Sequence, residues 1–264
     1  MPFSEDAEGI RLHYFPRPLQ APYAPEVADQ QMMRRLKEFK KWQWLTQDVF
    51  EQVINGEVDE QRLFEQYLSG VAAKPSMRSV YSEHIAIDRL RGTTMDGEGH
   101  GQLFTREQYT APEGGGLFFL IEGETELALE ALRFLEHFGF GADNTVGSGH
   151  FHVEIAPFDL RQPDEANRVV HLALYCPSSD ELKAITAEKE HCWYELEIRR
   201  GRVGSHFVHA RDVRKEPMPM FREGSSFPLT GGLPKGCVRT VKEIGDLRIR
   251  HSGLAFPVAA HWSH

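Results

Sequence analysis

The sequence predicts an α+β protein: two ferredoxin-like (RRM-like) domains in tandem, residues 1–160 and 161–264, with a protruding hairpin or thumb at about 74–116 in the first. Two observations carry this reading. Strand–helix–strand order recurs in both halves, the arrangement in which helices cover one face of an antiparallel sheet. Between the early helices and the first such unit lies a long polar, glycine-rich segment holding two strand-like stretches. A segment of that length within a compact domain is commonly a functional protrusion.

The elements follow in chain order. In "EVADQQMMRRLKEFKKWQWL", Met32 or Met33, Leu36, Phe39 and Trp42 form the apolar stripe of an amphipathic helix, and a shorter helix is expected around "DEQRLFEQYL". The thumb pairs "RSVYSEHIAI" with "GQLFTREQYT". "LFFLIEG", residues 117–123, reads as a buried strand. Residues 125–138 place Leu127, Ala131, Phe134, Leu135 and Phe138 on one helical face that stops at Gly139. "HFHVEIA", residues 150–156, alternates as a strand. In the second half "VVHLALYC" is a strand, and Ser178 to Glu181 is a capping box for a helix to about residue 189. "WYELEIRR" and "SHFVHAR" are expected to form a hairpin turning at Gly201–Gly204, with further strands at "CVRTV", "LRIRH" and "LAFPVAA".

Between helix and strand lies "GFGADNTVGSGHFHVE", residues 139–154, with two Gly-x-Gly pairs. A dinucleotide fingerprint needs strand, G-x-G-x-x-G, helix; here the order is reversed and Asn144 replaces the third glycine. A Walker loop needs Gly-Lys-Ser/Thr, and the stretch has no lysine. A helix cap at Gly139 and a bend at Gly147–Gly149 account for some of these glycines. The alternative is a loop whose backbone closely approaches a ligand.

Composition bounds the function classes. Three well-separated cysteines, no apolar run of membrane length and no leader-like N-terminus suggest a reducing, cytoplasmic setting with no membrane association. A net charge of −9 argues against a general polyanion binder. Yet "RRGRVGSHFVHARDVRK", residues 199–215, is locally +5, which fits either a solvated basic hairpin or a nucleic-acid grip. His150 and His152 share one strand face as a possible metal pair, but no third ligand is apparent, so neither a metal nor a cofactor is expected.

These stretches together resemble a known family. The helix–"GFGADNTVGSGHF"–strand unit is similar to the glycine-rich loop of the RAMP superfamily of CRISPR-associated RNA-binding proteins. "HIAIDRLRGTTMDGEGHGQLF", "MPMFREGSSF" and "YFPRP" resemble further motifs of one RAMP branch, the subunit that caps the crRNA 5′ handle in type III-A (Csm) interference complexes. The resemblance covers most of residues 10–260 and implies a crRNA-binding, non-catalytic subunit in antiviral defence. Its partners would be the crRNA 5′ handle, a large palm-domain subunit and backbone RAMP subunits. The resemblance implies a strand and a helix ahead of "YFPRP" that this sequence does not show, so the first domain is expected to lack its opening strand and to expose a sheet edge.

The resemblance gives roles to residues. Gly139, Gly141, Gly147, Ser148 and Gly149 would present backbone N–H groups to phosphates, with His150 and Phe151 stacking or hydrogen-bonding an unstacked base. His84, Arg89 and Arg91 would be thumb contacts; Gly224, Ser225 and Ser226 a second small-residue cradle, with Arg222 beside it. Ordinary surface charge and a simple turn account for the same residues. Against the binding role stands a RAMP endoribonuclease that processes crRNA precursor. Thirteen histidines leave it open, although no His–Tyr–Lys or His–Ser constellation stands out. A small-molecule enzyme using the loop as a phosphate cradle has no cofactor motif behind it.

Overall fold

The computed structural model describes residues 1–6, 8–25, 29–70, 75, 77–94, 96–97, 100–101, 103–141, 147–204 and 213–262. It divides into two compact units: Met1–Leu117 with Arg161–His264, and Phe118–Leu160. Small antiparallel sheets alternate with helices, a mixed α and β architecture. Among the described residues no helix is long and apolar enough to cross a membrane.

The first unit opens with strand β1 (Pro2–Glu5), which pairs with β2 (Arg11–Pro16) on one side and β10 (Gly116–Leu117) on the other. β3 (Trp44–Thr46) extends the sheet from β2. The expectation of a missing opening strand is thus corrected. The signal is local: Asp6 Oδ1 accepts from the backbone N–H of Glu8 and of Ile10, both at 2.9 Å, and Gly9 has φ +79°, so the chain reverses tightly between β1 and β2. β10 lies close to β1 because Gly116 has no side chain; a Cβ there would stand 2.5 Å from the Phe3 ring. "LFFLIEG" is corrected too. β1 offers only Pro2 and Phe3 as partners, so pairing ends at Leu117 and 118–123 is not a strand.

Helices α1 (Gln30–Phe39) and α3 (Glu60–Leu68) occur where periodicity placed them, each with an aspartate cap, Asp29 and Asp59. α2 (Gln47–Ile54), which the sequence reading missed, buries Phe50, Val53 and Ile54 against β2. Phe15 stacks on Phe50 with centroids 4.8 Å apart, and Phe39 meets Phe64 edge-on at 5.1 Å. Arg17, from "YFPRP", is buried here. Its guanidinium lies over the Phe39 ring, donates to the Phe39 carbonyl at 2.9 Å and pairs with Glu60. Burial opposes both charges, pushing Arg17 down and Glu60 up from their ordinary ranges.

The thumb is borne out as a hairpin. β4 (Arg78–Ile85) and β9 (Leu103–Thr110) pair antiparallel from Arg78↔Thr110 to Ile85↔Leu103. At its tip, β5 (Ile87–Asp88) pairs β6 (Thr93–Thr94) and β7 (Asp96–Gly97) pairs β8 (His100–Gly101).

The C-terminal part of this unit centres on β11 (Arg168–His171), flanked by β14 (Ser226–Pro228) and β17 (Pro257–Ala260). The predicted strand 169–176 stops at His171, and the chain bends before Tyr175 bridges to Phe221. Ser178 caps α5 (Ser179–Ala187) through a capping box with Glu181, as predicted. β12 (Leu196–Arg199) pairs with β13 (Met218–Phe221), while the expected partner "SHFVHAR", residues 205–211, lies outside the described residues. The reason is burial: Met218, Met220 and Phe221 carry the apolar face that β12 joins. β15 (Gly236–Ile244) and β16 (Leu247–Leu254) form a long hairpin, so the three strands predicted near the C-terminus are all present.

Hydrogen bonds and ion pairs knit the N- and C-terminal parts of the unit. His261 N–H donates to the Ile54 carbonyl at 2.7 Å, and Gly56 leaves space there that a Cβ would fill, 2.5 Å from the His261 carbonyl oxygen. Arg161 spans Glu57 at 2.7 Å and Glu51 at 3.8 Å.

The second unit holds α4 (Glu126–Phe138), ended by Gly139 at φ +79° as the sequence indicated. None of its residues is buried; Leu127, Phe134 and Phe138 stand exposed along the predicted stripe. The strand predicted at 150–156 is corrected to irregular backbone. Its hydrogen bonds go to the helix: Glu136 Oε1 accepts from the Val153 N–H at 3.0 Å and contacts His152 Nδ1 at 2.6 Å.

Candidate functional site

The proposed RNA-facing residues fall into three groups, two in the first unit and one in the second. On the thumb, His84 stacks on Phe104 across the hairpin, with centroids 5.5 Å apart and planes 19° off parallel, while Ser82 Oγ is 2.9 Å from its Nε2. The Arg106 guanidinium covers the Phe104 ring at 5.4 Å. Three planar groups thus stack on an exposed hairpin, the form of surface on which unstacked bases rest. Period-two alternation places His84 opposite Phe104, though the sequence reading singled out only the histidine.

Beyond the strands, Asp88 organises a turn by accepting from the Leu90 N–H at 2.9 Å, and Gly92 closes it at φ +67°. Arg89 and Arg91 project from this turn, both exposed; Arg91 keeps a loose ion pair with Asp88 at 3.8 Å. On the hairpin itself, Ser79 and Tyr81 hydroxyls both donate to Glu107, holding its carboxyl below the ordinary range.

The second group is Arg222–Ser226. Arg222 is held by Glu195 at 2.8 Å and Glu197 at 3.8 Å; Glu197 also binds Arg199 at 3.0 Å. Gly224 donates its N–H to the His171 carbonyl at 2.8 Å and accepts from the Leu19 N–H at 2.8 Å. Its φ is +86°, and a Cβ would lie 2.3 Å from the Arg17 carbonyl oxygen. Ser225 and Ser226 are both fully buried, and Ser226 Oγ donates to the Leu19 carbonyl at 2.6 Å. The serine hydroxyls face the chain's own interior, not its surface. Beneath them His171 is fully buried and stacked on Tyr175 at 4.1 Å, and burial lowers its imidazole to about 4.

The third group belongs to the second unit. The Phe140 N–H donates to the Gly149 carbonyl at 2.8 Å, closing the loop at its base. A Cβ on Gly149 would sit 2.1 Å from the Phe140 carbonyl oxygen, so this glycine serves the loop's own closure. Gly139 is buried as the helix cap. Gly141 and Gly147, at φ +102° and +90°, meet no atom of the described residues where a Cβ would stand, and His150 and Phe151 are exposed. Residues 142–146 of the loop lie outside the described residues, as do His206, His209 and Arg211 of the basic stretch. What is described of that stretch is its neck, where Val203 N–H meets the Val213 carbonyl at 2.8 Å and Lys215 N–H the Gly201 carbonyl at 2.9 Å.

Residues 164–259 match the family model of the CRISPR Csm4 C-terminal domain. Among solved structures, a chain of a Csm1–Csm4 cassette in complex with cA4 superposes with TM-score 0.57 at 16% identity, covering 100% of this chain and 77% of that one. A Csm1–Csm4 cassette in complex with pppApA gives TM-score 0.52 at 16% identity, over 99% and 77% of the two chains. At such identity the likeness is one of fold. No curated protein matches the sequence.

Proposed function

We propose, from the premise that the chain is a Csm4-like RAMP protein, that it is the non-catalytic subunit that caps the crRNA 5′ handle in a type III-A interference complex. The observation that carries the reading is the Csm4 C-terminal domain match over residues 164–259, joined to a thumb hairpin in the expected place. The partners are then a large palm-domain subunit, backbone RAMP subunits and the crRNA itself; the solved cassettes of similar fold pair Csm1 with Csm4.

The handle contacts proposed are those presented at the surface: His84, Arg89 and Arg91 on the thumb, and Gly141, Gly147, Ser148, His150 and Phe151 in the loop. Arginines outside the hairpin strands would meet phosphates, while the His84–Phe104 stack offers a face to a base. An overall charge of −9 means that general electrostatics would hold free RNA weakly, so partner contacts and stacking must add to it. Binding rather than cleavage is favoured by how three of the histidines are used. His171 is sealed and neutral, His152 is tied to Glu136, and His84 is stacked. The test is incubation of the purified chain with repeat RNA and target RNA, with and without divalent metal. Intact RNA is expected. Cleavage abolished by His150→Ala would establish the endoribonuclease alternative instead.

A further inference from the structure

The chain holds three cysteines, all as free thiols, and two of them meet. Cys176, shortly before the cap of α5, and Cys237, near the start of β15, are 61 residues apart in sequence and 3.7 Å apart at their sulfurs. The backbone brings them together. The Cys237 N–H donates to the Cys176 carbonyl at 2.9 Å, and the Cys176 N–H donates to the Gly253 carbonyl at 3.0 Å. Gly253 is also the partner of Cys237 across the β15–β16 hairpin. It carries no side chain where Cys176 comes in: a Cβ there would stand 2.4 Å from the Cys176 Cβ. That missing side chain lets one thiol reach the hairpin that carries the other.

The direct backbone bond limits how far apart the pair can stand. The carbonyl oxygen and the amide nitrogen each lie close to their own Cα, so the two Cα atoms are at most about 6.8 Å apart. Disulfides span roughly 4.4–6.8 Å between Cα atoms. Bond formation asks the sulfurs to close from 3.7 Å to about 2.0 Å, within reach of side-chain rotation.

The two thiols differ in surroundings. Cys176 is buried among Met218, Met220 and Val241, whereas Cys237 is only half-buried, its Sγ also 3.5 Å from the Pro177 carbonyl. Burial, reinforced by Cys237, pushes the Cys176 thiol up to about 11, with Arg239 acting the other way. The thiolate is the reactive form, so Cys237 is the sulfur that meets an oxidant and Cys176 the one that answers it. Cys192 is the contrast: it is buried, and its thiol is occupied by the backbone carbonyls of Glu188 at 3.2 Å and Ile185 at 3.5 Å.

We propose that Cys176 and Cys237 form an oxidisable dithiol, a modification site for hydroperoxides that closes to an intramolecular disulfide. The Cys237 thiolate attacks a peroxide oxygen and breaks the O–O bond, becoming a sulfenic acid while the other oxygen leaves as water or alcohol. The Cys176 sulfur then displaces the sulfenic hydroxyl, which departs as water with the Cys176 proton. Two thiols thus lose two electrons and two protons, and one peroxide is reduced. The link ties the segment after β11 covalently to the β15–β16 hairpin and closes a long loop, which stabilises the folded chain. It is independent of the capping reading and uses no residue assigned to RNA.

The test treats the purified chain with hydrogen peroxide, quenches with catalase and counts thiols after unfolding. The count is expected to fall from three to one and to return to three with dithiothreitol, and non-reducing peptide mapping should find Cys176 joined to Cys237. The melting temperature should rise by several degrees on oxidation and fall back on reduction. Cys192→Ser should leave both responses in place. Cys237→Ser should abolish them, and Cys176→Ser should leave a sulfenic acid at Cys237 that dimedone traps. Because Cys237 is half-buried, Cys237→Ser reads the site should Cys176→Ser fold poorly. Three thiols retained under peroxide that oxidises glutathione in the same tube overturns the proposal. So does a link between chains or through Cys192, or a melting temperature unchanged or lowered in the linked chain.

Discussion

Two glycine-bearing segments look alike in the sequence and behave oppositely in the structure. Arg222–Ser226 turns inward: Gly224 lies against the Arg17 carbonyl, and both serines are buried against residues 17–19 and β11. In the loop that begins at Gly139, a Cβ on Gly141 or Gly147 would meet no atom of the described residues, while Gly149 is pressed on its own chain. Small residues permit close approach; they do not say what approaches. In the first segment the answer is the N-terminal strand's continuation, so the cradle is a weld. In the second, no backbone of the described residues stands against two of the glycines, as the proposed ligand surface requires.

The largest effect expected from this contrast is at Gly224. Gly224→Val forces a Cβ onto the Arg17 carbonyl at a positive φ, and a loss of about 3 kcal/mol or more is expected. Thermal unfolding should show a fall of several degrees. Unchanged melting would mean that the two segments are not different in kind.

Acidification comes next. Burial holds His171 at about 4, so between that value and the ordinary 6.5 the unfolded chain binds more protons than the folded one, and stability rises with pH. The contribution is fully present above about pH 6.5 and is lost as pH falls toward 4. At roughly 1.4 kcal/mol per unit it amounts to about 3 kcal/mol. His171 exchanges backbone bonds with Gly224 and Ser225, so the weld should loosen with it. Glu181, held near 2 by backbone N–H groups of Ser178, Lys235 and Gly236 acting against its burial, adds its own loss only at lower pH. Urea titrations of wild type and His171→Phe between pH 5 and 7 check this; a slope persisting in the variant would assign it elsewhere.

Within the loop the glycines should separate. Gly149→Val clashes with Phe140 and is expected to open the loop and abolish handle retention. Gly147→Ala meets no neighbour among the described residues and should cost only about 1 kcal/mol of backbone strain. Protease nicking within 140–149 distinguishes the two. The smallest structural effect is at Arg89, which is exposed: Arg89→Ala should leave melting within about 0.5 kcal/mol of wild type. Equal nicking in both loop variants, or melting lowered by Arg89→Ala, would erase the distinction between weld and ligand surface.

What the sequence made legible was local. The capping box at Ser178, the stop at Gly139, the thumb hairpin and the individual strands β15 and β16 each depend on residues near one another in the chain. Pairings chosen by distant burial were not legible. β12 takes Met218–Phe221 as its partner because that strand carries buried side chains, and Arg17 finds Glu60 across a separation of 43 residues. The alternation at 150–156 signalled a strand, but Glu136 captured its backbone and side chain first. Among site residues, exposure on the thumb was legible from polarity; the burial of Ser225 and Ser226 was not, since serine serves turns and interiors alike. Cys176 and Cys237, 61 residues apart, carry no motif and meet only through the fold.

The central claim is that this chain holds the handle end of a guide RNA without cutting it. The most direct measurement is nuclease protection of handle and guide, read separately, in complexes reconstituted with wild type, with Arg89→Ala and without this chain. The account predicts a handle protected by wild type, weakened about threefold to tenfold by Arg89→Ala and bare when the chain is omitted, with the guide protected throughout. Equal loss from handle and guide, or a handle still protected without the chain, would contradict it.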